Sequence, residues 1–146
     1  MSDALRVVVP DAVIGGRGLS TGQRAVALAL AETLFSTEVG PPPADRLRWL
    51  ADDLDDFFAH SGARSRSVFV LCITAIDLLA PVFIGRLGRF SRLTLGDRFT
   101  ALTRFEASPM GLAFFGAKAA LCIVWYEHPA AAREVGFDGN CLKRSA

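Results

Sequence analysis

The sequence predicts an all-α protein, a single compact bundle of five or six helices. An irregular N-terminal segment over residues 1–18 precedes the helical domain of residues 19–146, which ends in a C-terminal loop. Three observations carry this expectation. Apolar residues recur at three- and four-residue spacing through most of the chain. Capping residues and prolines stand where such stretches begin, and glycines where they end. The candidate strand Val7-Val8-Val9 is cut short by Pro10, and no further strands alternate with the helical stretches.

Gly15-Gly16-Arg17-Gly18 reads as a turn. Ser20 then fits an N-cap, and Gln23 three residues on completes a capping box. A first helix follows to about Ser36, with Leu28, Leu30, Leu34 and Phe35 in an alanine-rich background of high helix propensity. Gly40-Pro41-Pro42-Pro43 breaks it. A second helix begins near Pro43, because proline is tolerated in a first turn. Leu47, Leu50, Leu54, Phe57 and Phe58 give it one buried face, and Asp52, Asp53, Asp55 and Asp56 a solvated one. Ser61-Gly62 ends it. The third helix, about Ser65 to Leu79, is apolar nearly all round, so it belongs at the centre of the bundle or under a partner. Pro81 kinks or ends it, and Gly85 and Gly88 suggest a loose helical continuation. Thr94 and Asp97 form the next cap pair, opening a helix to about Ala107. Ser108-Pro109 starts a fifth helix to about Tyr126, and Pro129 opens a short sixth that ends near Gly136.

Val68–Ile84 and Met110–Tyr126 invite a membrane test. The first is apolar except for Thr74, Asp77 and Pro81, the second except for Lys118. Both lie at the short end of the ~17–25 residues that span a bilayer. A charge near the centre of each costs roughly 2.5–3.5 kcal/mol on insertion. Helices of a soluble bundle fit them better, with peripheral membrane contact as the alternative.

Composition narrows the function classes. With 51% hydrophobic and 21% charged residues, the chain is not intrinsically disordered. A net charge of +1 gives no field toward nucleic acid. The cysteines, Cys72, Cys122 and Cys141, are odd in number and fit reduced thiols rather than a disulfide scaffold. No charged patch leads into an apolar stretch at the N-terminus, so the expected location is cytoplasmic, or periplasmic by co-export with a partner.

Motifs of catalysis are missing. Thr21 stands where a dinucleotide fingerprint needs its third glycine. His60 and His128 are the only imidazoles, and no Gly-x-Ser-x-Gly elbow accompanies them. Cys-x-x-Cys and His-Glu-x-x-His pairs are absent, and Glu127 and His128 are adjacent, so they do not share a helix face. No catalytic, cofactor-binding or metal-ligating residue is expected. A small helical enzyme using Asp77, Glu127 or His128 as acid or base remains the weaker reading.

Two charge patterns are left. Arg86, Arg89 and Arg92 repeat every third residue and would form one basic stripe on a helix. Asp77 and Lys118 are each the lone charge of an apolar stretch. Buried charges usually find partners, so either the third and fifth helices pack with these two side chains meeting, or each charge faces solvent or a partner separately.

From Phe90 onward the chain resembles the gluconate 2-dehydrogenase subunit 3 family. Phe90 and Leu93, Arg98, Ser108, Phe114 with Lys118, Trp125-Tyr126, and Val135-Gly136-Phe137-Asp138-Gly139 fill the places of that family's short motifs in order. These are small, non-catalytic subunits that accompany larger flavin-dependent dehydrogenases of the glucose–methanol–choline class. The resemblance implies an accessory subunit that binds, stabilises and helps mature such a partner. FAD would sit in the partner, which would act on a sugar, alcohol or sterol-like hydroxyl, and no cofactor would sit in this chain. The partner interface is expected at Gly136, Phe137, Asp138 and Gly139, with Trp125, Tyr126, Arg86 and Arg89. Phe137 would be an apolar anchor on a sharp turn, or would cap its own bundle.

Overall fold

A computed structural model describes residues 18–137. Val7-Val8-Val9, Asp138, Gly139 and Cys141 lie outside the described residues. Among the described residues the architecture is all-α, with six α-helices and no strand. They are α1 (Thr21–Leu34), α2 (Ala44–His60), α3 (Ala63–Leu79), α4 (Leu95–Ala107), α5 (Gly111–Glu127) and α6 (Pro129–Glu134). Short 3-10 turns at Ala80–Ile84 and Phe90–Arg92 bridge α3 and α4.

The start of α1 follows from local chemistry. Ser20 Oγ accepts the Gln23 amide at 3.2 Å, and Gln23 Oε1 accepts the Ser20 amide at 2.9 Å. Two backbone donors that a helix start leaves without partners are thereby satisfied. Thr94 caps α4 in the same way, accepting the Asp97 amide. Pro41-Pro42-Pro43 leads into α2 without a side-chain cap. Pro81 ends α3 as a regular helix, and the chain tightens into the first 3-10 turn, which stops at Gly85 with φ +70°. Residues 85–89 are not helical, contrary to the loose continuation expected there.

The turn between α4 and α5 also differs from expectation. Ser108 does not cap α5, whose N-cap is Met110. It closes α4 instead: its hydroxyl donates to Phe105 O at 2.6 Å and accepts the Met110 amide at 3.2 Å. The two helices meet at 119°. At this corner a β-carbon on Gly111 would stand 2.3 Å from the Glu106 carbonyl oxygen. Gly111→Ala is therefore expected to cost about 1–3 kcal/mol, the range for forced overpacking, read as a lowered midpoint in urea.

The core is one cluster drawn from all six helices. Leu30, Leu50, Leu54, Phe58, Ile73, Ile76, Phe105 and Leu121 are fully buried within it. Phe58 packs on Phe69 with ring centroids 4.6 Å apart, joining α2 to α3. Phe83 meets Phe105 edge-on at 5.7 Å, and Arg104 donates to Phe83 O at 3.0 Å, fixing the first 3-10 turn to α4.

The aspartates of α2 are less idle than a solvated face. Asp55 Oδ1 accepts the Leu19 amide at 2.9 Å, and both Asp52 and Asp55 take the Arg24 guanidinium. Those bonds, led by Asp52, hold Arg24 above its ordinary value. The ion pair ties the start of α1 to α2 across a stretch of chain that no sequence periodicity connects.

Candidate functional site

α3 buries Phe69, Ile73 and Ile76 and leaves Val68, Leu71, Leu78 and Leu79 exposed. α5 does the same, burying Phe114, Leu121 and Val124 while exposing Leu112, Phe115 and Ile123. Residues three, four and seven apart share a helix face, so each exposed set is one stripe. The helices approach closely where Cys72 faces Gly116, since a β-carbon on Gly116 would lie 3.3 Å from Cys72 Sγ. By helix periodicity the two stripes lie on either side of that seam. Leu71 is 70% exposed and Phe115 67%. The result is an apolar plateau, and plateaus of this kind on soluble proteins mark surfaces that something else covers.

The sequence signal for α3 was its all-round apolarity, which is explained by one face in the core and one in solvent. The α5 stripe, Leu112, Phe115 and Ile123, escaped sequence reasoning. The helix is apolar on both faces, so spacing alone does not say which of the two is buried. Burial pushes the thiols of Cys72 and Cys122 up, in Cys122 despite the neighbouring Lys118. Both behave as small apolar residues.

Asp77 and Lys118 do not meet. Asp77 is 2% exposed and faces the 85–92 segment, where its Oδ1 accepts the Ser91 amide at 3.0 Å and its Oδ2 lies 3.5 Å from Arg89 Nη1. Lys118 is exposed, with its ammonium 5.7 Å from the Phe114 ring centroid. A backbone amide and an arginine satisfy the carboxylate, and the long lysine stem carries its charge out to water.

The arginine stripe is not on a helix, because residues 85–89 are irregular. Arg86 pairs with Asp97 at 3.3 Å, Arg89 holds Asp77, and Arg92 is exposed. Trp125 is not available to a partner. It is 4% exposed, stacked on Phe35 at 4.2 Å with Arg46 5.5 Å from its ring centroid. Tyr126 beside it is exposed.

The expected loop begins as a helix cap. Gly136, at φ +84°, donates to Arg133 O at 3.0 Å, and Phe137 donates to Ala132 O at 3.0 Å. This is the Schellman pattern, which needs a left-handed residue that glycine supplies without penalty. Phe137 emerges from it 52% exposed.

His128 caps α6, its Nδ1 accepting the Ala130 amide at 3.2 Å, and packs edge-on against Trp49. Arg46 clamps α6 to α2 through two 3.0 Å bonds to Glu134. Those bonds hold the Glu134 carboxyl below the ordinary carboxylate range. A depressed carboxylate stabilises above its unfolded value and stops doing so as pH falls through its folded one. Acidification below about pH 4 is therefore expected to loosen α6. Backbone chemical shifts of Ala130–Glu134 will move together there, and Glu134→Gln will remove that step.

Among the described residues no group of histidine, cysteine and acidic side chains is placed to hold a metal ion. One helical stretch, Ala63–Ile84, is long and apolar enough to cross a membrane by length and composition. No family model, curated protein or solved structure matches the chain. The expectation of a dehydrogenase small subunit rests on the sequence words quoted from Phe90 onward alone.

Proposed function

We propose that this chain is a non-catalytic accessory subunit of a larger flavoprotein dehydrogenase of the glucose–methanol–choline class. It holds its partner through the α3–α5 plateau. The observation that carries this reading is the pair of apolar stripes, Val68, Leu71 and Leu79 with Leu112, Phe115 and Ile123, left in water by an otherwise complete core. Permanent complexes bury surfaces that resemble a domain core cut in half. The motif order from Phe90 to Gly139 supports the partner class. The FAD and the oxidation of a sugar, alcohol or sterol-like hydroxyl belong to the partner. The chain resides wherever that complex resides.

The test is co-expression with the flavoprotein encoded beside this chain and purification through a tag on this chain. A flavin absorbance spectrum at fixed ratio through gel filtration is the expected result. A colourless chain overturns the reading. The apolarity of Ala63–Ile84 favours a second reading, a peripheral membrane protein lying on lipid through the same plateau. Flotation of the colourless chain with liposomes would select it.

A further inference from the structure

Between α1, Leu47 of α2 and residues 89–98 lies an open cleft of about 670 Å³. Its α1 side mixes small residues, Gly22, Ala25 and Ala29, with Val26, Leu28 and Glu32, and its other side carries Arg89, Arg92 and Arg98. Three guanidinium groups face two carboxylates, Asp77 and Glu32, and both are engaged. Asp77 is buried behind Arg89 and also serves the Ser91 amide.

The arginines are short of acceptors. The Arg98 side chain is 13% exposed. Its Nη2 donates to Ser91 O at 3.0 Å, and its Nη1 lies 3.6 Å from Glu32. Its Nε is buried with no acceptor among the described residues. Arg92 is exposed, and its side chain makes no ion pair or hydrogen bond among the described residues. The three guanidinium groups thus outnumber the two carboxylates near the cleft by one positive charge, and Arg92 is the one with its side chain still open to an acceptor.

We infer that this cleft receives a carboxylate, the side chain of an aspartate or glutamate on the partner chain, held by Arg92 and Arg98. A guanidinium offers paired N–H groups that match the two oxygens of a carboxylate. An excess of one positive charge suits a monoanion. An open cleft grips a free small acid weakly, whereas a carboxylate tethered by the plateau contact arrives at high effective concentration. The partner as source rests on the accessory-subunit reading; the preference for a carboxylate does not.

The two claims separate by experiment. Blocked glutamate (N-acetyl-glutamate N-methylamide) and its glutamine counterpart are titrated into the full chain, with the arginine Nε–Hε signals followed by NMR. A saturating shift confined to Arg92, Arg98 and Arg89, absent with the glutamine compound, is expected. Arg92→Gln, which disturbs no contact of the fold, is expected to weaken it about tenfold. A drift shared by all arginines, or an unchanged response in Arg92→Gln, overturns the cleft. In the tagged purification, Arg92→Glu is expected to lose the flavoprotein that the unaltered chain retains. Equal retention overturns the partner as source. A saturating shift in a chain that retains no flavoprotein supports the cleft and removes the subunit reading.

Discussion

On the accessory-subunit reading, a chain carrying Leu71→Glu and Phe115→Glu is expected to fold as before and to lose its partner. Both side chains are two-thirds or more in water, so the free chain loses little when they change. In the complex each would place a carboxylate in a desolvated apolar contact with nothing to pair it, at a cost of several kcal/mol per charge. The expected loss of affinity is at least about a hundredfold, equivalent to ~3 kcal/mol. Circular dichroism and the urea midpoint report the fold, and flavin retained on the tagged chain reports the complex. An intact complex would place the interface elsewhere. A melted chain would mean that the plateau belongs to the core, and the single variants would then show which helix carries it.

Removing the Asp77 carboxylate is expected to destabilise the free protein substantially. In Asp77→Ala the Ser91 amide loses its acceptor in a half-buried setting, and a void opens between α3 and the 85–92 segment. Hydrogen bonds to charged groups contribute about 1.5–3 kcal/mol, so a loss of about 2–3 kcal/mol in urea unfolding is expected. The Arg89 contact is long and its side chain 61% exposed, so its share is under about 1 kcal/mol. A double-mutant cycle will show coupling between Asp77 and Arg89 and none between Asp77 and Lys118. Coupling to Lys118 would require a different packing of α3 against α5. Loss of this anchor also frees the segment carrying Arg89 and Arg92, so the carboxylate response of the cleft should weaken in the same variant.

Local rules made much of this fold legible. Ser20 and Gln23, Thr94, Pro81 and Gly136 act through neighbours a few residues away, and each does in the structure what its position implied. What was hidden depends on side chains brought together from far along the chain. Asp55 reads as solvated from its own helix alone, because its partners, Leu19 just before α1 and Arg24 within it, come from elsewhere in the chain. Lys118 was paired with Asp77 because charges in apolar stretches need partners, but a lysine stem can reach water and an aspartate cannot. Trp125 falls at an interface only through the family resemblance of the Trp125-Tyr126 pair, and Phe35 and Arg46 enclose it. Ser108 ahead of Pro109 has the form of a helix start. Gly111 decides the matter, because the corner closes so tightly that Ser108 is used to end α4. The plateau was half legible: an all-apolar helix shows that apolar residues lie on both faces, without saying which face the chain itself buries.

The Arg46 clamp on α6 has a consequence for how the molecule opens. Six residues cannot hold a helix in water on their own. The amides of Ala130–Glu134 therefore depend on the clamp and the His128 cap for their protection. Hydrogen exchange there should proceed by a small local opening, orders of magnitude faster than in the buried turns of α5, which require global unfolding. Phe137, the exposed ring at the end of α6, rides on this least protected element. A bound partner that gripped Phe137 would slow exchange in α6 first, giving a residue-level record of when the C-terminal end is occupied.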